Sequence, residues 1–351
     1  MIGNRPQFIK AAAVSPILRA EHTEVMVHTG QHFDDELSSV FFTELGLPAP
    51  ERELKVSLGS NTSQTSRMLA ALEPVIAEER PDVVLVYGDT NSTLAGAIAG
   101  AQAAVAVAHV EAGMRSFDRA MPEELNRVLT DHASALLLCS SPVAGENLRR
   151  ESVAGTIELV GDVMVDVAMK VQPSARERED LVGAHGLERG AYVFATAHRA
   201  GNVDDPERLR ALVALLLAVP EPVLLALHPR TRERLEAASL IGQLQQAERV
   251  TITPPLGYIE ATALMCNARA VLTDSGGLQK EAYLAGVPCV TLRPSTEWSE
   301  TVEQGWNVLV DLDAEAAVVA LERTPPAERP PLYGDGHAGE RVVAALTLHC
   351  G

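Results

Sequence analysis

Three carboxylates, Asp89, Glu111 and Glu123, stand at the ends of apolar runs or in the helix that follows one. Delivered from different strand ends, they meet only through folding. Beside a bound diphosphate, the like charge would raise their proton affinity and prepare them for proton transfer near neutral pH. Two of them also have a plainer use, Asp89 as a helix N-cap and Glu123, in Pro122-Glu123-Glu124, as first-turn charge facing a helix dipole. A second group is cationic: Arg5, Lys10, His198, Arg199, His228 and Arg230. Their charge-assisted hydrogen bonds, and the planar fork of arginine above all, suit a diphosphate. Lys10 reads equally well as a solvated helix residue.

A third feature is Thr273-Asp274-Ser275-Gly276-Gly277-Leu278-Gln279-Lys280-Glu281. The strand Ala270-Val271-Leu272 runs into a Ser-Gly-Gly turn, and a helical pattern begins at Leu278. Such a turn aims unpaired N–H groups and the positive end of a helix dipole at one spot, and its glycines let the backbone approach an anion closely. Glu281 then falls where it can accept hydrogen bonds from a ribose. On its own the turn is also an ordinary strand-to-helix connection. Gly3-Asn4-Arg5, ahead of Pro6 and an apolar helix from Phe8 to Leu18, has the form of a second phosphate loop. Only Met1 and Ile2 precede it, so either the first strand is a stub or the start lies upstream.

These residues need a scaffold that brings strand ends together. Short strands are expected at 24–28, 83–87, 105–108, 136–138 and 157–160, and again at 192–195, 223–226, 250–252, 270–273 and 289–292, alternating with helical segments. Residues 48–61 read as irregular, and a helix is expected after His32, through Phe42. Strand–helix alternation joined by short loops predicts parallel sheets with helices on both faces, where ligands gather beyond the carboxyl ends of the strands. Gly161-Asp162, followed by the charged run 176–180, marks a domain boundary. The expected architecture is α/β, two Rossmann-like domains facing across a cleft: residues 1–165, residues 166–337, and a final helix, 338–351, returning to the first.

Length and composition agree with this. The chain has 351 residues, 46% apolar and 22% charged, enough for two cores. A net charge of −18 argues against a nucleic-acid partner. No apolar run reaches membrane-spanning length and the amino terminus lacks a signal pattern, so a cytoplasmic location is expected. Cys139, Cys266, Cys289 and Cys350 have neither metal nor redox spacing and read as reduced packing residues.

Taken together and in order, Gly3-Asn4-Arg5-Pro6-Gln7-Phe8-Ile9-Lys10, Tyr87-Gly88-Asp89-Thr90, His109-Val110-Glu111-Ala112-Gly113-Met114-Arg115, Pro122-Glu123-Glu124-Leu125-Asn126-Arg127, Thr196-Ala197-His198-Arg199 and the Asp274–Glu281 stretch resemble the non-hydrolysing UDP-N-acetylglucosamine 2-epimerases. The resemblance runs nearly the whole length. It implies a glycosyltransferase-B type fold, a UDP-sugar partner and a homodimer, with no cofactor and no metal. In that family UDP is eliminated across C1–C2 to leave a 2-acetamidoglucal, and re-adds after reprotonation on the other face of C2. The resemblance places the catalytic set on Asp89, Glu111, Glu123 and His198. It places substrate contacts on Arg5, Lys10, Arg115, Arg127, Arg199, His228, Arg230, Ser275, Gly276, Gly277 and Glu281, with uracil near Leu256 and Tyr258.

The chain departs from many members at Gly201, where they carry Glu, and at Trp298, where many bacterial members carry Arg. Residues Thr29 to Asp35 differ from bacterial members that bind a second, activating UDP-N-acetylglucosamine. Thr296-Glu297-Trp298 resembles a branch that includes archaeal enzymes and epimerases of UDP-2,3-diacetamido uronates, which makes that uronate the alternative substrate. Rival readings are a sugar transferase of the same fold, a hydrolysing relative and an inactive UDP-sugar-binding module.

Overall fold

The computed structural model describes residues 1–31 and 42–350; of Arg5 and Cys350 only the backbone is described. The helix expected after His32, through Phe42, falls outside the described residues except at Phe42 itself. The chain divides into two compact units, Met1–Met169 with Pro331–Gly351, and Lys170–Pro330. The first division falls inside the helix Val163–Arg176, between the expected turn Gly161-Asp162 and the charged run 176–180.

In the first unit, β1 (Val27–His28) pairs in parallel with β2 (Arg52–Glu53), inside a stretch expected to be irregular. Four further parallel strands lie in the order β3 (Val83–Tyr87), β4 (Ala106–Ala112), β5 (Leu136–Cys139) and β6 (Thr156–Leu159). Ile2 bridges His28, and the Met1 nitrogen donates to the Leu85 carbonyl at 2.8 Å, so this stub of strand lies between β1 and β3. β5, Leu-Leu-Leu-Cys, is buried throughout because helices cover both faces. The helix Arg5–Glu21 starts with Pro6 in its first turn and an Asn4 side-chain cap. The final helix, Ala338–Cys350, packs against it, and Asp166 accepts from its first amides, Ala338 at 3.1 Å and Gly339 at 2.7 Å.

The second unit holds β7 (Val193–Thr196), β8 (Val223–Ala226), β9 (Val250–Thr253), β10 (Ala270–Thr273), β11 (Cys289–Thr291) and β12 (Asn307–Leu309). They form one parallel sheet in the order β12-β11-β10-β7-β8-β9. Burial alternates with the pleat. Val193, Ala195, Leu225 and Leu272 join one core cluster, while Phe194, Leu224 and Val271 join the cluster on the opposite face. From β7 the chain winds outward through β8 and β9, then crosses back to lay β10 against the other side of β7. The strand order therefore reverses between β7 and β10, where an open α/β sheet offers a crevice at its carboxyl ends.

Candidate active site

In the first unit the carboxyl ends of β3 and β4 bring charge together. The Lys10 ammonium, from the second turn of its helix, pairs with the Glu111 carboxylate, both side chains being almost buried. Glu111 lies inside β4 at a shift in register against β5, and its φ is +73°. A non-glycine residue there is strained, and such strain collects at functional sites. Beside it, Gly88 turns at φ +66°, and a Cβ on Gly88 would lie 2.8 Å from Lys10 Nζ and 3.4 Å from Glu111 Oε2. The left-handed backbone and this close approach favour glycine here, and β3 delivers Asp89 directly after it.

Asp89 is 29% exposed and is gripped by Arg127, through Nε at 3.0 Å and Nη2 at 2.6 Å. Asn126 Nδ2 donates to the Asp89 carbonyl at 3.0 Å. Both come from the helix Pro122–Ala133, which also carries the two adjacent glutamates. Glu124 is buried. It accepts from the Ser116 and Phe117 amides, each at 2.9 Å, and from Arg127 Nη1 at 3.0 Å. Burial pushes its carboxyl up, but those donors outweigh burial and hold it below the usual range. Glu123 is half-buried and makes no hydrogen bond or ion pair among the described residues.

Two residues expected at substrate are occupied within the protein. Arg115 is buried and spends its donors on Glu151 (2.8 and 2.6 Å), Asp131 (2.7 Å) and the Met114 carbonyl (2.8 Å), so it braces the loop after β4. Arg127 acts on Asp89 and Glu124. Arg5 opens its helix, and its side chain lies outside the described residues.

The second unit builds its site at the reversal between β7 and β10. Asp274, fully buried, accepts from the backbone amides of His198 (3.0 Å) and Arg199 (2.9 Å) and from Asn202 Nδ2 (3.0 Å). It thereby fixes the chain leaving β7 against the turn leaving β10. The His198 ring stacks on His228, with centroids 5.2 Å apart. Ser275 precedes the helix Gly276–Ala285, whose first turn faces Glu297: a Cβ on Gly276 would stand 2.1 Å from Glu297 Oε1. Glu297 is itself paired with Arg293 (2.9 Å) and Arg199 (3.6 Å). Lys280 lies with Nζ 4.3 Å from the centre of the Trp298 ring. Leu256 and Tyr258 are buried, and burial, then the Glu281 charge, raises the Tyr258 phenol well above its ordinary value. Arg230 is exposed and bound to Asp204, which also accepts from Arg234, so its charge is shared on the surface.

Sequence reasoning passed over Glu297, Lys280 and Asn202. Only the four-residue spacing of Arg293 and Glu297 signalled the first. Three cysteines, Cys139, Cys266 and Cys289, are buried and free, and burial pushes their thiols up to about 12, 11 and 12, which leaves them inert. Among the described residues no group of His, Cys, Asp and Glu is placed to hold a metal ion, and no helix is long and apolar enough to cross a membrane.

Comparison with known proteins decides the family. The family model for UDP-N-acetylglucosamine 2-epimerase matches residues 17–347. The chain belongs to the UDP-N-acetylglucosamine 2-epimerase family. It is 43% identical to a UDP-N-acetylglucosamine 2-epimerase homolog of Methanococcus maripaludis, over 99% of this chain and 98% of that protein. It is 45% identical to the UDP-2,3-diacetamido-2,3-dideoxy-D-glucuronate 2-epimerase of Pseudomonas aeruginosa, with the same shares covered. The crystal structure of Methanocaldococcus jannaschii UDP-GlcNAc 2-epimerase in complex with UDP-GlcNAc and UDP matches with a TM-score of 0.92 at 39% identity, covering 99% of this chain and 98% of that one. The α/β fold, with its parallel sheets, is the glycosyltransferase-B type of this epimerase family.

Proposed function

We propose that this family member interconverts UDP-N-acetylglucosamine and UDP-N-acetylmannosamine by elimination and re-addition of UDP. The observation that carries the reading is the convergence of Lys10–Glu111 and Asp89–Arg127 at one strand edge, in a chain whose relatives are named as epimerases. In the forward step a carboxylate takes the proton from C2. The C–H electron pair becomes the C1=C2 double bond, and the C1–O pair leaves with UDP. The glucal is then protonated at C2 from the opposite face, and a diphosphate oxygen re-forms the bond to C1. C2–H is not acidic in the sugar, so its removal must accompany departure of UDP, and positive charge at the diphosphate lowers that barrier.

Asp89, Glu111 and Glu123 are assigned the proton transfers. His198, Ser275, Gly276 and Gly277 are assigned the diphosphate, Glu281 the ribose, and Leu256 with Tyr258 the uracil. Arg5, Lys10, Arg199 and His228 add positive charge. The enzyme would act as a cytoplasmic homodimer supplying polysaccharide synthesis.

The second reading, epimerisation of a UDP-2,3-diacetamido uronate, is favoured by the Pseudomonas relative and uses the same C2 chemistry. Purified protein is given each sugar nucleotide in turn and the products are resolved by anion exchange. UDP-N-acetylmannosamine formed from UDP-N-acetylglucosamine supports the first reading, and turnover of the uronate alone supports the second. Free UDP accumulating with N-acetylmannosamine would replace both with hydrolysis.

A further inference from the structure

The bulge that carries Glu111 is held from beneath by one carboxylate. Asp131 Oδ1 accepts from His109 Nδ1 at 2.7 Å, while Oδ2 accepts from the Gly113 amide at 3.2 Å and from Arg115 Nη1 at 2.7 Å. The residues two before and two after Glu111 are thus tied to a single buried side chain. From the other edge of its ring, His109 Nε2 donates to the Gly88 carbonyl at 2.7 Å, and the Gly88 amide donates back across the sheet to the Val110 carbonyl at 3.0 Å. Gly88 is the residue before Asp89.

Both partners of the ring are acceptors, a carboxylate and a carbonyl oxygen, so both ring nitrogens donate. The His109 and Asp131 side chains are fully buried. Burial pushes the Asp131 carboxyl up, yet its bonds and charge pairing with His109 and Arg115 more than offset this and keep it below the usual range. A buried polar pair is a costly way to fill a core, since well-packed apolar side chains in its place are often as stable or more so. What the pair adds is direction. It holds Glu111 in the left-handed conformation and fixes the Gly88 turn from which Asp89 projects, two features that would relax without support.

We infer that His109 and Asp131 are positioning residues that fix the Asp89 and Glu111 carboxylates relative to each other, through the Gly88 turn and the Glu111 bulge. The inference rests on reading those carboxylates as the proton-transferring groups.

Two exchanges separate the halves of the device. His109→Gln keeps an amide donor for the Gly88 carbonyl and loses Asp131, whereas His109→Asn keeps a donor for Asp131 and loses Gly88. Wild type and both variants are compared in steady-state turnover of both candidate sugars, UDP binding by calorimetry, and thermal unfolding. Each variant is expected to lower kcat roughly ten- to a hundredfold, with KM and UDP affinity held within about twofold. Wild-type kcat in either folded variant overturns the inference. So does a loss of UDP affinity in step with kcat, or failure of both variants to fold, since the pair would then support the whole unit and not the carboxylates. A wild-type chain that binds UDP and turns over neither sugar would remove the epimerase reading, and this inference with it.

Discussion

Arg127 holds Asp89 by two nitrogens on one carboxylate oxygen, at 3.0 and 2.6 Å, while its remaining terminal nitrogen reaches Glu124 at 3.0 Å. One guanidinium therefore sets the aim of the exposed carboxylate from a buried one. Arg127→Lys keeps the charge and loses the fork. The expected result is a kcat about tenfold to a hundredfold lower with UDP affinity unchanged, read from steady-state kinetics and calorimetry. An unaltered kcat would show that Asp89 needs no such clamp.

The adjacent glutamates should separate in kind. Glu123→Gln is expected to lower turnover by roughly a hundredfold while changing stability by less than about 0.5 kcal/mol. Glu124→Ala strips the Ser116 and Phe117 amides and Arg127 of their shared acceptor, and is expected to cost about 2–3 kcal/mol in denaturant unfolding. The opposite pattern would exchange their roles.

Acid should find Asp131. Its folded carboxyl lies below its ordinary value of 3.8, so its contribution to stability is complete above that value and is lost as pH falls through the folded one. Thermal unfolding of wild type and Asp131→Asn, measured from neutral pH downward, should show a gap that stays constant until about pH 4 and then closes. A gap that widens in acid would contradict the assignment.

Gly276→Ala places a methyl group where Glu297 Oε1 stands 2.1 Å away, a contact that Glu297 can relieve only by leaving Arg293 and Arg199. UDP affinity is expected to fall by about tenfold or more, with part of the loss recovered when Glu297→Ala is added. Calorimetry of the single and double variants checks this. Full affinity in Gly276→Ala would detach the helix terminus from nucleotide binding.

The strand ends were legible because apolar runs stop at polar residues. The run before Asp274-Ser275 lies where the sheet order turns back, the run before Gly88-Asp89 is β3, and strand–helix alternation alone called for parallel sheets. Less visible was which polar residue at an edge faces outward. Arg115 and Arg127 look like ligands in sequence, yet each is met by carboxylates: Glu151 and Asp131 for the first, Asp89 and, one turn back on its own helix, Glu124 for the second. His109 and Glu111, two residues apart, would share a face of a regular strand, but the register shift and left-handed backbone at Glu111 part them, and His109 is buried. β2 and β12 were missed since Arg52-Glu53 is exposed and Asn307-Val308-Leu309 carries a buried amide, so neither shows an apolar run. Glu297 reaches Gly276 by tertiary contact, which its four-residue spacing from Arg293 does not announce.

The account depends on hydrogen transfer at C2 by carboxylates of the first unit. Its most direct test is incubation in heavy water with each candidate UDP-sugar, followed by NMR of the recovered nucleotide sugar, for wild type and for Asp89→Asn, Glu111→Gln and Glu123→Gln. The account predicts deuterium at C2 with wild type, and an exchange rate lowered roughly a hundredfold or more in each variant while UDP still binds. Protium retained at C2 during turnover, or wild-type exchange in all three variants, would contradict it.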